Sequence, residues 1–153
     1  MNLQHVAHII RDVFKETSFT VCYEEEKKLS SILWSSEHGI GAFSLWSGTS
    51  TPAQNEDNRY YWPAGMNGMF FGDNCVDLFV SINYNPTLFD ENSLQVAEEI
   101  KRVLKPKAFI FACNPGLWAD NLNKLFFRNK IYEKEIKKYS LFSKENVLVY
   151  ENI

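Results

Sequence analysis

Two apolar runs with a periodic stretch between them set the frame of this chain. Val76-Asp77-Leu78-Phe79-Val80-Ser81-Ile82-Asn83 is of strand length, rich in β-branched residues and without polar alternation, as expected of a strand buried on both faces. From Asn92 to Leu104, the apolar residues Leu94, Val96, Ala97, Ile100, Val103 and Leu104 recur at helical spacing, with Asn92 or Ser93 placed to cap the start. Lys105-Pro106 ends that helix, because the residue before a proline is pushed out of the α region and the ring cannot continue the ladder. Ala108 to Cys113 is a second buried strand, closed by Asn114-Pro115-Gly116. Two buried strands around one helix predict a right-handed βαβ crossover.

The flanking segments continue the alternation. Leu3, Val6, Ala7, Ile9, Ile10, Val13 and Phe14 predict an amphipathic helix from about Asn2 to Lys15, and Phe19 to Tyr23 a short strand. Leu29, Ile32 and Leu33 predict a helix from Glu25 to about His38, with its early acids at the positive end of the macrodipole. Gly39 can serve as its left-handed cap, and Ile40 to Trp46 is the following strand. Ser47 to Asn58 is polar and aperiodic. Leu117 to Arg128 predicts another helix, Ile131 to Phe142 alternates imperfectly, and Val147 to Tyr150 is a closing strand. The expectation is one α/β domain over residues 1–153 with a twisted, mostly parallel sheet and helices on both faces.

Phe71-Gly72-Asp73-Asn74-Cys75-Val76-Asp77-Leu78-Phe79-Val80-Ser81, followed by Glu98-Glu99-Ile100-Lys101-Arg102-Val103-Leu104-Lys105-Pro106, resembles class I S-adenosylmethionine-dependent methyltransferases. In that family a stretch like F-x-D-x-x-F-D-L-V-x-S leads into the fourth strand, and E-I-x-R-V-L-K-P-G-G into the fifth. The likeness covers roughly the C-terminal half of such a domain. It implies a three-layer, Rossmann-like fold, similar to a shortened methyltransferase. The segments 131–142 and 147–150 would be its antiparallel C-terminal pair, with Lys130, Lys134, Lys137 and Lys138 a solvated edge. Lys107-Ala108 stands where the family has G-G, which suggests a turn freed of that backbone demand.

The N-terminal half admits two registers. In one, Glu37-His38-Gly39-Ile40-Gly41 overlies the family's acidic, glycine-rich loop beneath the methionine part of the cofactor, with Phe43 in the third glycine position. The cofactor-binding residues implied by the resemblance are then Glu37, Gly39, Gly41, Gly65, Met66, Ser81 and Asn83, with Tyr84 and Asn85 at the substrate. Gly65 stands where the family carries an acid beside the adenine. Ser81-Ile82-Asn83-Tyr84-Asn85-Pro86 is faintly like the N-P-P-Y motif of amino-methyltransferases. In the other register, Phe19 to Tyr23 is the first strand and Glu24-Glu25-Glu26 replaces the glycine loop, offering no close backbone approach. Helical spacing at Leu29, Ile32 and Leu33 favours the second.

Composition narrows the partners. The chain has 45% hydrophobic and 23% charged residues, as in an ordinary globular domain. A net charge of −3 gives no reason to expect nucleic acid or an anionic membrane as a general partner. No apolar run reaches the ~20 residues of a membrane span and no signal-peptide layout opens the chain, so a cytoplasmic location is expected. Cys22, Cys75 and Cys113 are widely spaced and read as reduced thiols. His5 and His8 lack a third ligand at metal spacing, so no metal is expected.

Two classes of function follow. One is a methyltransferase-like domain with a degenerate cofactor site, acting as a binding or scaffolding module for a protein partner. The other is a small enzyme transferring the methyl group of S-adenosylmethionine to a small-molecule acceptor, by proximity and alignment. No general base or other catalytic residue is evident. The aromatic stretch around Tyr60, Tyr61 and Trp62 suits either a packed loop or a stacking surface.

Overall fold

The computed structural model describes residues 2–24, 28–35, 40–46, 59–61, 69, 71–83, 93–139 and 144–153, the side chains of 46 and 59–61 excepted. Their elements run α1 (Leu3–Val13), β1 (Phe19–Tyr23), α2 (Leu29–Trp34), β2 (Gly41–Trp46), β3 (Arg59–Tyr61), β4 (Val76–Ile82), α3 (Ser93–Val103), β5 (Leu104–Cys113), α4 (Trp118–Leu125), β6 (Phe127–Arg128), α5 (Lys130–Lys137) and β7 (Val147–Glu151). Seven strands form one sheet in the order β3-β2-β1-β4-β5-β7-β6. The first five in that order pair in parallel, and β7 is antiparallel to both β5 and β6.

Buried side chains alternate between the two faces of the central strands. Val21, Tyr23, Phe79 and Ile110 pack with Val96, Ala97, Ile100, Trp118 and Leu122 of α3 and α4. Cys22, Leu78, Val80 and Phe111 pack with Val6, Ile10, Leu33 and Ile136 of α1, α2 and α5. Each fully buried large apolar side chain contributes about 1.5–3 kcal/mol. Trp118 is fully buried, and its indole N–H donates to the Ser93 carbonyl at 3.2 Å, tying α4 to α3. Asn2 caps α1, its side chain accepting from the His5 amide. Among the described residues no helix is long and apolar enough to cross a membrane.

Five expectations change. The helix expected from Leu117 to Arg128 runs from Trp118 to Leu125, because Phe126 turns extended and Phe127–Arg128 pair with β7 as β6. The helix before β2 ends at Trp34, where Ser35 turns extended; residues 36–39, with the cap expected at Gly39, lie outside the description. Residues 130–137 form a helix rather than a strand, because Tyr132, Ile136 and Tyr139 fall on one helical face against the apolar cluster beneath α1. Its inward Glu133 is neutralised by Arg128 at 2.6 Å, and the four lysines cover its exposed side. The antiparallel neighbours of β7 are therefore β5 and the two-residue β6. Finally, Lys107 has φ 67°, so the irregular stretch early in β5, where its pairing with β4 shifts register, still requires the left-handed conformation that glycine adopts freely.

Candidate functional site

The connection after β1 leads to β2 on one side, and that after β4 leads to β5 on the other. The carboxyl ends of these neighbouring strands therefore form the switch point at which doubly wound sheets bind ligands. The residue leaving β1 is Glu24. Its carboxylate accepts the amides of Lys28, Leu29 and Ser30 at 3.0, 3.3 and 3.4 Å. Hydroxyls of Ser30 and, from β2, Ser44 add contacts at 3.1 and 3.4 Å. One carboxylate thus consumes the first free amides of α2, the groups a glycine loop would otherwise turn toward an anionic ligand. Burial pushes the Glu24 carboxyl above its usual range, against the opposing effect of these hydrogen bonds.

At the ends of β4 and β5, Asn83 and Asn114 have φ of 57° and 53°, a region asparagine tolerates better than most side chains. The Asn83 amide donates to the Cys113 carbonyl at 2.8 Å, and Asn114 Nδ2 donates to Asn83 Oδ1 at 2.9 Å. Asn114 also donates to the Glu145 carboxylate and accepts the Asn146 amide at 3.0 Å. These groups close the sheet end upon itself. Ser81 is fully buried on the face shared by Tyr23 and Ala112, its register partners, and its hydroxyl has no partner among the described residues.

Of the residues expected at the cofactor, Ser81 and Asn83 lie at this edge, while Gly41 does not. It opens β2 at the amino edge, where its amide donates to the Ser18 carbonyl at 3.2 Å. A Cβ there would stand 3.1 Å from that same oxygen, so close approach of β1 accounts for the glycine. Glu37, Gly39, Gly65, Met66, Tyr84 and Asn85 lie outside the described residues. Sequence reasoning missed the capping by Glu24 and the Asn114 bridge. Their available signals were an acid just before a helix and an asparagine in a strand-ending turn.

The motifs behind the methyltransferase resemblance hold scaffold. Arg102 donates to both Glu99 oxygens, to Asp73 at 2.6 Å and to the Phe71 carbonyl at 2.8 Å, while Glu99 accepts the Met69 amide at 2.7 Å. Burial raises the Glu99 pKa, but the Arg102 and Met69 hydrogen bonds outweigh it and leave the carboxyl below its usual range. Cys22 and Cys113 are buried, and desolvation pushes the Cys113 thiol up to about 12.

No family model matches the sequence, and no curated protein matches it. Solved structures do. The PH0226 protein from Pyrococcus horikoshii OT3 superposes with a TM-score of 0.64 at 10% identity, over 99% of this chain and 89% of that one. A TehB-like S-adenosylmethionine-dependent methyltransferase from Corynebacterium glutamicum ATCC 13032 gives 0.62 at 11% identity, over 100% and 89%. The [4+2]-cyclase SpnF gives 0.60 at 8% identity, over 97% and 80%. Likeness at such identities speaks for the fold alone, and the strand order, the antiparallel β7 and these superpositions agree that this chain has the fold of the class I S-adenosylmethionine-dependent methyltransferases.

Proposed function

We propose that this is a methyltransferase-like domain with a degenerate S-adenosylmethionine site, working as a binding module for a protein partner. One observation carries the reading: the Glu24 carboxylate occupies the amides at the start of α2. A cofactor that brings its own carboxylate to this edge would meet a negative charge instead of open N–H groups. The described residues of the edge do not fit that group, and the Asn83–Asn114–Glu145 contacts use further polar groups of the same edge internally. The fold does not decide the chemistry, since its neighbours include a methyltransferase and a cyclase.

A second reading, an active small methyltransferase, draws support from the unpartnered Ser81 hydroxyl at the end of β4. Calorimetric titration with S-adenosylmethionine and S-adenosylhomocysteine separates the two. The degenerate site gives no heat at millimolar ligand while the protein melts cooperatively. Micromolar binding overturns it and turns the search to methyl acceptors.

A further inference from the structure

We propose that the amino edge of the sheet carries a separate binding site, for a small planar aromatic molecule bearing an anionic group. A cavity of about 790 Å³ opens there between the end of α1, the first half of β5 and the inner face of α5. Its size is that of a small-ligand pocket, and it lies at the opposite edge from Glu24 and Asn83.

The floor is aromatic. Phe109 and Tyr132 stand with ring centroids 4.7 Å apart, and Phe14 lies 5.5 Å from the first and 5.7 Å from the second. Phe109 and Tyr132 are only half-buried, which leaves part of each ring to a ligand that stacks or packs edge-on.

The charges around the mouth give the second half of the argument. Asp77 is matched by Lys105 at 2.8 Å, Glu135 by Lys138 at 2.9 Å, and Asp12 is bonded to His8 at 3.1 Å. Lys15 and Lys107 approach from two different walls, and neither meets a carboxylate among the described residues. Against these two ammonium groups stand two lining acids, Glu16, which meets no cation among the described residues, and Asp12, whose partner His8 carries charge only when protonated. Lys107 moreover holds a left-handed position where glycine would be unstrained, so its charge sits at the mouth in spite of its backbone. A ring on the floor with its anion between the two lysines uses both features.

The test is titration of the ¹⁵N-labelled chain with 2-naphthoate and, as the uncharged counterpart, 2-naphthamide. Amide shifts are expected at Lys15, Lys107, Phe109 and Tyr132, with the carboxylate bound about tenfold more tightly than the amide. The double variant Lys15→Gln with Lys107→Gly removes both charges and relieves the backbone, so it melts no lower than the wild type. It should lose about tenfold in affinity for the acid and none for the amide. Shifts absent at millimolar ligand, shifts gathered at Asn83 and Asn114, equal binding of acid and amide, or an unaffected double variant would each overturn the proposal. None of these outcomes bears on the S-adenosylmethionine titration.

Discussion

The Asp77 carboxylate takes the Ser18 hydroxyl at 2.7 Å and the Ser18 amide at 3.2 Å, fixing the entrance of β1 against a strand 59 residues further along the chain. The Phe19 amide, at 3.0 Å, shares the same oxygen, and Lys105 holds the other. Asp77→Ala should therefore cost about 2–4 kcal/mol in urea unfolding, because it strips partners from amides at a part-buried strand start. Burial raises the Asp77 pKa, but the bonds from Lys105 and Ser18 outweigh it and hold the carboxyl below its usual range. Its contribution is thus present above the ordinary carboxylate value of about 4 and is lost as the pH falls through the lower folded value. The wild type should lose more stability across that acid window than Asp77→Ala.

Arg102 serves several acceptors at once, bridging Glu99 and Asp73 and reaching the carbonyls of Met69 and Phe71. Arg102→Ala should destabilise by about 2–3 kcal/mol, and Arg102→Lys should recover little, because an ammonium cannot reproduce the planar fork. Hydrogen exchange should quicken at Met69, whose amide donates to the Glu99 carboxylate that Arg102 orients. Protection there equal to wild type in Arg102→Ala would refute the assignment.

Glu24 behaves oppositely to Asp77. Its folded pKa is raised, burial being the first cause, so the protonated form is relatively favoured in the native state. The associated stability is full below the unfolded value of about 4.3 and declines as the pH rises through the higher folded value. Glu24→Gln should flatten that decline in thermal melts as the pH rises above about 4. A decline of unchanged depth in the variant would assign it to another group.

Lys107→Gly should raise stability by about 0.5–1 kcal/mol, the left-handed penalty relieved less the added freedom of the unfolded chain. Differential scanning calorimetry checks this, and a lower melting temperature would mean that the lysine stem packs usefully over the cavity.

The βαβ unit from Val76 to Cys113 was legible because strands covered on both faces are spelled by apolar runs, and a helix between them keeps its own period. Phe19 to Tyr23 was legible for the same reason. The stretch from Lys130 to Lys137 misled because Ile131, at 75% exposure, adds an apolar residue that the buried face does not use, so a helical stripe looks like imperfect alternation. At the candidate site, Ser81 and Asn83 could be placed from the end of their strand. Gly41 could not, since its reason is the Ser18 carbonyl across a strand pair, a contact that no local pattern encodes. The direction of the Glu24 side chain was equally hidden, being set by the later docking of α2 and Ser44.

The position of β7 between β5 and β6 also has a temporal meaning. During synthesis Phe127 and Arg128 emerge before the strand they pair with, and β5 waits with an open edge until Val147 to Glu151 arrive. The nascent domain must pass through an interval with that edge unsatisfied, the condition under which a chaperone or a neighbouring chain competes for a strand. Solubility of this protein in a cell would then depend on how quickly residues 138–151 follow α5, as well as on the stability of the finished sheet.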